Sequence, residues 1–572
     1  MAAPSRSPLP KDRERDRLPI PEMRTLRWLI LVVLLSLSPA KGSARDFFFD
    51  ADAGSDEADG SEHSPLRSIA HANSMSFAPG DRLLFRGGQT FTGNLILAGE
   101  NQGTVETPIV VGTCGTGRAV IDAGLGTGIW IRNLGGIVIQ DLIILGAGPG
   151  KNVGSGVRIE NTLPGATVLD YVRVLRVACS GFGGYPGPLW EGYGGPSNFG
   201  DGIFVGGRPS DRTKSGYRDV RIEDCETSGN QYCGIYVTGA WNPAIDSFAN
   251  QDVHVVGCSA HHNLGDPLYH ANHSGDGILV EDVDGATIEH CAAWENGALC
   301  GCPFGGPVGI WTYSANAVVI RDCLSFSNRT GSLDGAGFDL DGGVSNSIIE
   351  RCVSHDNDGA GILLYTYPGS PHYFGGNIVR DNLSANDGKK NHMAGIAIGR
   401  HGGKFEGLEI YRNTVVASSK SGSNCAISIF GQEARDIRLH HNLIAVADGA
   451  HLLNAVTQPG LSLSDNAYAS GQSPFLMEFD GQLFESLAEL RNDSGQEMSP
   501  GDETHGHMIA SIPADLDHWM QTLIAQASAR DLQSGLLARK DPTPVAEPAA
   551  SPPEKPLSGV IQALGILLPP GF

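Results

Sequence analysis

Short apolar runs with alternating polarity recur between residues 109 and 470, and no long helical periodicity interrupts them. Val220-Arg-Ile-Glu-Asp-Cys225, Val253-His-Val-Val-Gly-Cys258, Thr287-Ile-Glu-His-Cys291, Val319-Ile-Arg-Asp-Cys323 and Ile348-Ile-Glu-Arg-Cys352 share one frame. The frame continues with Asn382, Asn413 and Asn442 at the Cys position, and extends upstream to Leu142 and Val177. The steps are 35, 48, 33, 33, 32, 29, 30, 31 and 29 residues. Five residues after each Cys stands Asn230, Asn263, Asn296, Asn328 or Asn357. A Gly-apolar strand then begins at Gly202, Gly234, Gly277, Gly309, Gly337, Gly361 or Gly395. Each repeat thus predicts three short strands. Such a unit cannot bury its own apolar face, but stacked copies can. The spacing predicts a right-handed parallel β-helix of about ten coils, all-β, with short capping helices. Asn tolerates the left-handed backbone region, so an Asn at every corner predicts one tight bend repeated there.

Side chains alternate along a strand. In the Gly-Ile strands, Ile203, Ile235, Ile278, Ile310, Phe338, Ile362, Ile396 and Ile427 are expected inside, as are the residues two further on. One outward column then reads Phe204, Tyr236, Leu279, Trp311, Asp339, Leu363, Ala397, Ser428. The next reads Gly206, Thr238, Glu281, Tyr313, Asp341, Tyr365, Gly399, Phe430. A plain solvated face would carry Thr, Ser, Lys and Glu. Aromatic rings beside carboxylates suit a sugar polymer, whose apolar faces stack on rings and whose hydroxyls bind carboxylates. Sequence segments 182–200, 264–275, 297–307 and 387–394 on one side of this strand, and 207–218, 239–252 and 366–376 on the other, would wall a groove.

The candidate catalytic residues are Asp339, Asp341, Glu281 and Arg400; the candidate sugar-binding residues are Trp311, Tyr313, Tyr365, Tyr236 and, in the first of these loops, Trp190. Two mechanisms fit. In a hydrolase, one protonated carboxyl donates to the leaving oxygen while another activates water. In a lyase on a uronate polymer, carboxylates hold Ca²⁺, with Asp339, Asp341, Asp356 and Asp358 as the candidate ligands. Arg400, Lys389, Lys390, His355 or His401 would then take the C5 proton. Asp356 and Asp358 flank the corner Asn357 and suit a tight turn as well. The alternative without catalysis is a carbohydrate-binding or cell-surface scaffold; an epimerase is a third.

Composition narrows the class. Of 572 residues, 77 are Gly, and the net charge is −23. That charge disfavours nucleic acid and anionic membranes as partners. Five of the 11 Cys form the repeated column and are expected as small buried thiols; Cys300-Gly-Cys302 would lie in a loop, as a disulfide partner or part of a metal site.

The opening of the repeat region, Asp50-Ala-Asp-Ala-Gly54, Ser64-Pro-Leu-Arg-Ser-Ile69, Pro79-Gly-Asp81 and Phe85-Arg-Gly-Gly88, with Gly337-Phe-Asp-Leu-Asp-Gly-Gly343 and Ser354-His-Asp-Asn-Asp358, resembles the right-handed β-helix repeat proteins of the pectate-lyase-like superfamily. The resemblance spans about residues 45–470 and implies an N-terminal cap with a short helix near 65–76. It implies no single activity, since the superfamily holds lyases, hydrolases, epimerases and binding scaffolds. The Asp-Asp and Gly-His-Gly elements of polygalacturonases are missing.

The ends differ from the middle. Arg24 and Arg27, an apolar run Trp28–Leu37 and small residues up to Ala44 read as a secretory signal within an extension 1–44, with Met1 or Met23 as the start. A cap and first strands follow over 45–108 and the solenoid over 109–470. A C-terminal cap region covers 471–540, with helices expected over 475–491 and 513–537. A Pro-rich tail covers 541–572. The expectation is an exported monomer, secreted or periplasmic, with no stable membrane insertion after cleavage and a polysaccharide as its partner.

Overall fold

The computed structural model describes residues 44–152, 154–183, 200–391, 393–456, 458–498, 507–508 and 521–525. The signal segment, Trp190 and the tail lie outside these residues. The described chain is a right-handed parallel β-helix. Its strands stack coil upon coil from Asp46–Phe49, which pairs with Arg82–Arg86, which pairs with Ile109–Cys114. The cap helix is Ile69–Ala72, with the Ser68 hydroxyl accepting from the His71 amide.

The three strands per repeat are present. The small-residue strands make a sheet of fourteen among the described residues. The Gly-Ile and VxI strands join in a sheet of twenty-six, because two of them, Asp276–Glu289 and Val308–Arg321, run through the bend without a break. The expected register holds: Ile203, Ile235, Ile278, Ile310, Phe338, Ile362, Ile396 and Ile427 are cross-strand partners in succession, all buried.

The corner chemistry differs from the expectation. The left-handed residue is not the Asn but the one before it: Gly229, His262, Glu295, Ser327 and Asp356 have φ from 53 to 63°. A second left-handed residue precedes each Cys or Asn of the other column, as at Asp224, His290, Asp322, Asp381 and Arg412. The Asn side chains instead form a buried ladder. The backbone N–H and Nδ2 of Asn263 both donate to Oδ1 of Asn296, at 3.1 and 3.0 Å, and Asn296 does the same to Asn328. The run ends on Asp387, whose Oδ1 accepts both donors of Asn357 at 3.0 and 2.8 Å. A second ladder runs Asn382, Asn413, Asn442, Asn466 and closes on Glu497. An amide fits here because one side chain accepts from the coil after which it is stacked and donates onward. Each corner's strained residue is thereby offset by two bonds sealed from water.

Cys225, Cys258, Cys291, Cys323 and Cys352 are free, buried thiols in one column, as expected. Cys300 and Cys302 are free thiols too, both buried. At the C-terminal end, the expected helix over 475–491 is shorter. Met477–Phe479 and Gln482–Phe484 pair as a hairpin, and only Leu487–Ser494 is helical, capped by Ser486. The hairpin lays antiparallel strands over the last open edge, which a helix would leave unpaired. Of the second expected helix, residues 521–525 are described and are helical, with Leu523 and Ile524 packed on the outside of the small-residue sheet. Among the described residues no helix is long and apolar enough to cross a membrane.

Candidate functional site

The outward columns of the Gly-Ile sheet are themselves largely covered. Phe204, Tyr236, Leu279, Trp311, Leu363 and Ala397 belong to a second apolar cluster, with Tyr232 and Tyr269 laid over it from outside. Trp311 and Tyr236 are each 4% exposed, so neither is the open platform that the alternation suggests. The reason is tertiary. The segment 264–275 folds back across the sheet, pinned where Gly265, Gly275 and Gly297 meet. A Cβ on Gly275 would stand 2.7 Å from the Gly265 nitrogen and 2.8 Å from the Gly297 Cα. Gly275 also lies at φ 87°, closed to most side chains. Tyr313, Asp341, Tyr365 and Phe430 remain half-buried.

Asp339 and Asp341 stand on Ala336–Asp341, opposite Trp311 and Tyr313 of the preceding coil. Asp339 is 1% exposed and its Oδ1 has no hydrogen-bond partner. Asp341 is half-buried and accepts the Gly342 amide at 2.6 Å. Burial, the Asp341 charge and the nearby Asp334 hold the Asp339 carboxyl far above the usual carboxylate range. Burial and Asp334 raise Asp341 likewise, against the pull of the Gly342 amide and of His273. Two carboxyls so coupled lose their protons in two steps that belong to the pair.

Glu281 lies two coils upstream. Its Oε1 accepts from Tyr236 at 3.0 Å and from the Thr238 hydroxyl, while Oε2 has no partner. Burial pushes its pKa up to about 7. Tyr365 lies on the other side, its hydroxyl 2.8 Å from Nδ1 of His401, with its ring stacked 6.3 Å from Phe430. Gly399 permits this, since a Cβ there would meet the Phe430 ring at 2.5 Å and Tyr365 at 2.8 Å. A Tyr365–His401–Phe430 wall therefore borders the carboxylates.

Two expected groupings do not form. Arg400 is turned to the loop, where Nε and Nη2 donate to the Gly403 carbonyl at 3.0 and 2.8 Å and Nη1 donates to the Glu433 carbonyl. Its guanidinium is spent on backbone acceptors and is not a base at the carboxylates. Asp356 is bound by His355 and by Lys389 at 2.7 Å; burial opposes ionisation there, but these partners hold its pKa well below the usual range. Asp358 pairs with Lys390 at 2.7 Å and Arg329 at 3.2 Å. A carboxylate already neutralised by a Lys is a poor Ca²⁺ ligand, and among the described residues no group of three His, Cys, Asp or Glu is arranged for a metal. Asp356 and Asp358 are thus taken up by cations rather than grouped with Asp339 and Asp341 as expected.

Sequence reasoning missed His273, Asp276 and Asp334. His273 Nδ1 is 2.7 Å from Asp276 Oδ2, both buried, and its ring stacks on Tyr232 at 5.6 Å and meets Trp311 edge-on at 5.0 Å. The one signal was an Asp immediately before the Gly of a Gly-Ile strand, at Asp276-Gly277 as at Asp201-Gly202.

Residues 197–415 match the family model described as right handed beta helix region. No curated protein matches the sequence. Among solved structures, the GH136 lacto-N-biosidase from Eubacterium ramulus superposes with a TM-score of 0.51 at 16% identity, covering 76% of this chain and 68% of that one. The A-module of a mannuronan C-5 epimerase from Azotobacter vinelandii gives 0.42 at 15% identity, covering 69% and 88%. A mannuronic acid specific polysaccharide family 6 lyase from human gut microbiota gives 0.43 at 13%, covering 86% and 100%. At such identities the likeness is one of fold.

Proposed function

We propose that the protein is a carbohydrate-active enzyme that hydrolyses a glycosidic bond, with Asp339 as the acid and Asp341 as the base. The observation that carries this reading is the coupled pair itself: two outward carboxyls on one strand, one sealed and without a partner, the other half-open beside Tyr313 and Tyr365. Both carboxyls are raised, so the pair gives up its protons in two steps; after the first, the carboxyl that keeps its proton is the donor and its ionised neighbour draws the proton from water. Asp339 gives its proton to the leaving oxygen as the C–O bond breaks; Asp341 receives one from the attacking water. Their positions two apart on one strand place the Cα atoms about 6.5–7 Å apart.

Hydrolysis is favoured over an elimination run by Arg400 with Ca²⁺ on Asp356 and Asp358, because Arg400 is engaged on carbonyls and the two aspartates on lysines; His401, bonded to Tyr365, stays at the site and makes the lyase the second reading. The fold is one on which a lacto-N-biosidase is built, but a fold does not carry an activity, and the reading rests on the carboxylates. The basic and apolar stretch before Ala44 supports export, with a soluble monomer meeting its glycan outside the cytoplasm.

The test is a panel of neutral and uronate-containing glycans, with Ca²⁺ or chelator. New reducing ends in wild type, lost in Asp339→Asn and Asp341→Asn, support the reading. An unsaturated product with its ultraviolet absorbance would show a lyase instead. Glycan retention without any cutting would show a binding scaffold.

A further inference from the structure

The outer face of the Gly-Ile sheet is closed on one side of Asp339 and Asp341 and open on the other. Toward the preceding coils, Arg158, Phe204, Tyr236, Leu279 and Trp311 are successive outward cross-strand neighbours, and each is at most 7% exposed. Four strand spacings make about 19 Å of covered sheet. The cover is fixed in place. The Gly275 and Asp276 amides donate to the Tyr232 carbonyl at 2.6 and 2.9 Å, and the Leu299 amide donates to the Leu264 carbonyl at 2.6 Å. A Cβ on Gly301 would stand 2.4 Å from the Pro267 carbonyl oxygen, so the segment 297–307 presses directly on 264–275. The Tyr232 ring lies 5.6 Å from Tyr236 and 6.3 Å from Tyr269. Toward the following coils the picture reverses. Leu363 and Ala397 are buried, but Tyr365 and Phe430 in the next column are half-buried, and His401 is exposed. Beyond them Asn454, cross-strand from Ser428, is exposed, and Val456 is 42% exposed. At the strand ends, Trp241 stands 6.4 Å from Tyr313, and Tyr367 packs against Gly342. A chain in this groove therefore runs along the stack of coils.

Resting on the proposed hydrolysis, we infer that the protein cuts glycans from a chain end, with the polymer lying over Tyr365 and Phe430 toward Asn454. Cutting in mid-chain needs open floor on both sides of the carboxyls. Here the floor ends at Trp311, so only a short terminal piece fits behind the scissile bond. The substrate class is a glycan with a free terminus, and its product is short and of one size. Phe430 is the specificity-determining ring of the open side. Gly399 lies between Phe430 and Tyr365 and carries no side chain, so the two rings close over it, 6.3 Å apart and 28° from parallel. An apolar sugar face stacks on such rings, and the exposed His401 and Asn454 offer polar contacts to its hydroxyls. Trp130 is the counterpart that the inference leaves idle. It is half-buried and outward, cross-strand from Arg158, at the far end of the covered block. Six strand spacings, about 29 Å, separate it from Asp339.

The experiment digests each polymer of the glycan panel with the full-length protein and follows viscosity, reducing ends and product sizes together. One short product from the first time points, with the viscosity of the remaining polymer nearly kept, is expected. An early ladder of many sizes with collapsing viscosity overturns the inference and leaves the hydrolase reading standing. A short unsaturated product does the reverse. Phe430→Ala should raise KM about three- to tenfold, the worth of one stacked ring, with kcat changed less. Trp130→Ala should leave both unchanged. Equal losses in the two variants would overturn the inference, since the chain would then cross the covered face. Phe430→Leu serves if the alanine variant does not fold. Glycan retained without cutting ends the hydrolase reading, and retention by the same two variants then decides whether the chain lies on Phe430 alone. Neither cutting nor retention removes both.

Discussion

Asp339 and Asp341 share one strand and one face, yet Asp341 accepts the Gly342 amide at 2.6 Å while Oδ1 of buried Asp339 accepts nothing. Neighbouring carboxyls in unequal surroundings separate into an acid and a base, because each environment prices the negative charge differently.

Activity should follow a bell in pH. Rate rises as Asp341 ionises and falls as Asp339 does, so Asp341→Asn removes the acidic limb and Asp339→Asn the basic limb of whatever activity remains. Each variant should lose about 10²–10⁴-fold in kcat. The double variant should lose little more, since the two act as a unit. Steady-state kinetics across pH, on a glycan found by the panel, provide the check.

The Asn ladder should be a large local source of stability. Asn296→Ala would strip two donors of Asn263 of their acceptor and remove the Nδ2 donor that the Ala260 carbonyl accepts at 3.0 Å. Unsatisfied buried groups cost about 1–3 kcal/mol each, so a loss on the order of 3 kcal/mol or more is expected in urea unfolding. In a solenoid the damage should be local, and hydrogen exchange should quicken first in the coils around residues 263–328. Uniform exchange would count against this.

The end of that ladder should make stability depend on pH. Burial lifts Asp387 from an ordinary 3.8 to about 6, although the two Asn357 donors and Ser384 favour its ionised form. The folded protein therefore binds more protons than the unfolded chain between these values, and stability falls as pH rises from about 4 to about 6. Asp387→Asn keeps an oxygen for Asn357 and carries no charge. It should match wild type near pH 4 and exceed its Tm above pH 6; equal melting curves at both pH values would refute the assignment.

The thiol column should be inert while the coils stay closed. Burial drives the pKa of Cys225, Cys258, Cys291 and Cys323 well above the usual value; the thiol of the following coil adds to this, and that of the preceding coil opposes it at Cys258, Cys291 and Cys323. A thiol reagent needs the thiolate and access to it. Native protein should leave these four unlabelled at neutral pH, with all of them reacting after denaturation; mass spectrometry of peptides locates the label.

Much of the architecture was legible without coordinates. The inward column from Ile203 to Ile427 was readable because a strand alternates with period two, and a solenoid repeats that choice in every coil, so each repeat confirms the last. The same logic placed Asp339 and Asp341 side by side and outward. The corner was half-read: Asn recurs there, but its service is the amide ladder, and the left-handed residue is its predecessor, of no fixed type.

Tertiary structure alone decided what the outward residues face. Nothing periodic marks the segment 264–275, yet its return across the sheet buries Trp311 and Tyr236 and sets His273 against Asp276. Likewise Arg400, Asp356 and Asp358 have the right chemistry for catalysis or metal binding, and only the course of the neighbouring loops turns them to other partners. Repetition fixes the coil, since every copy must satisfy the same local rules. The site is built from segments that occur once, and their long-range contacts leave no pattern along the chain.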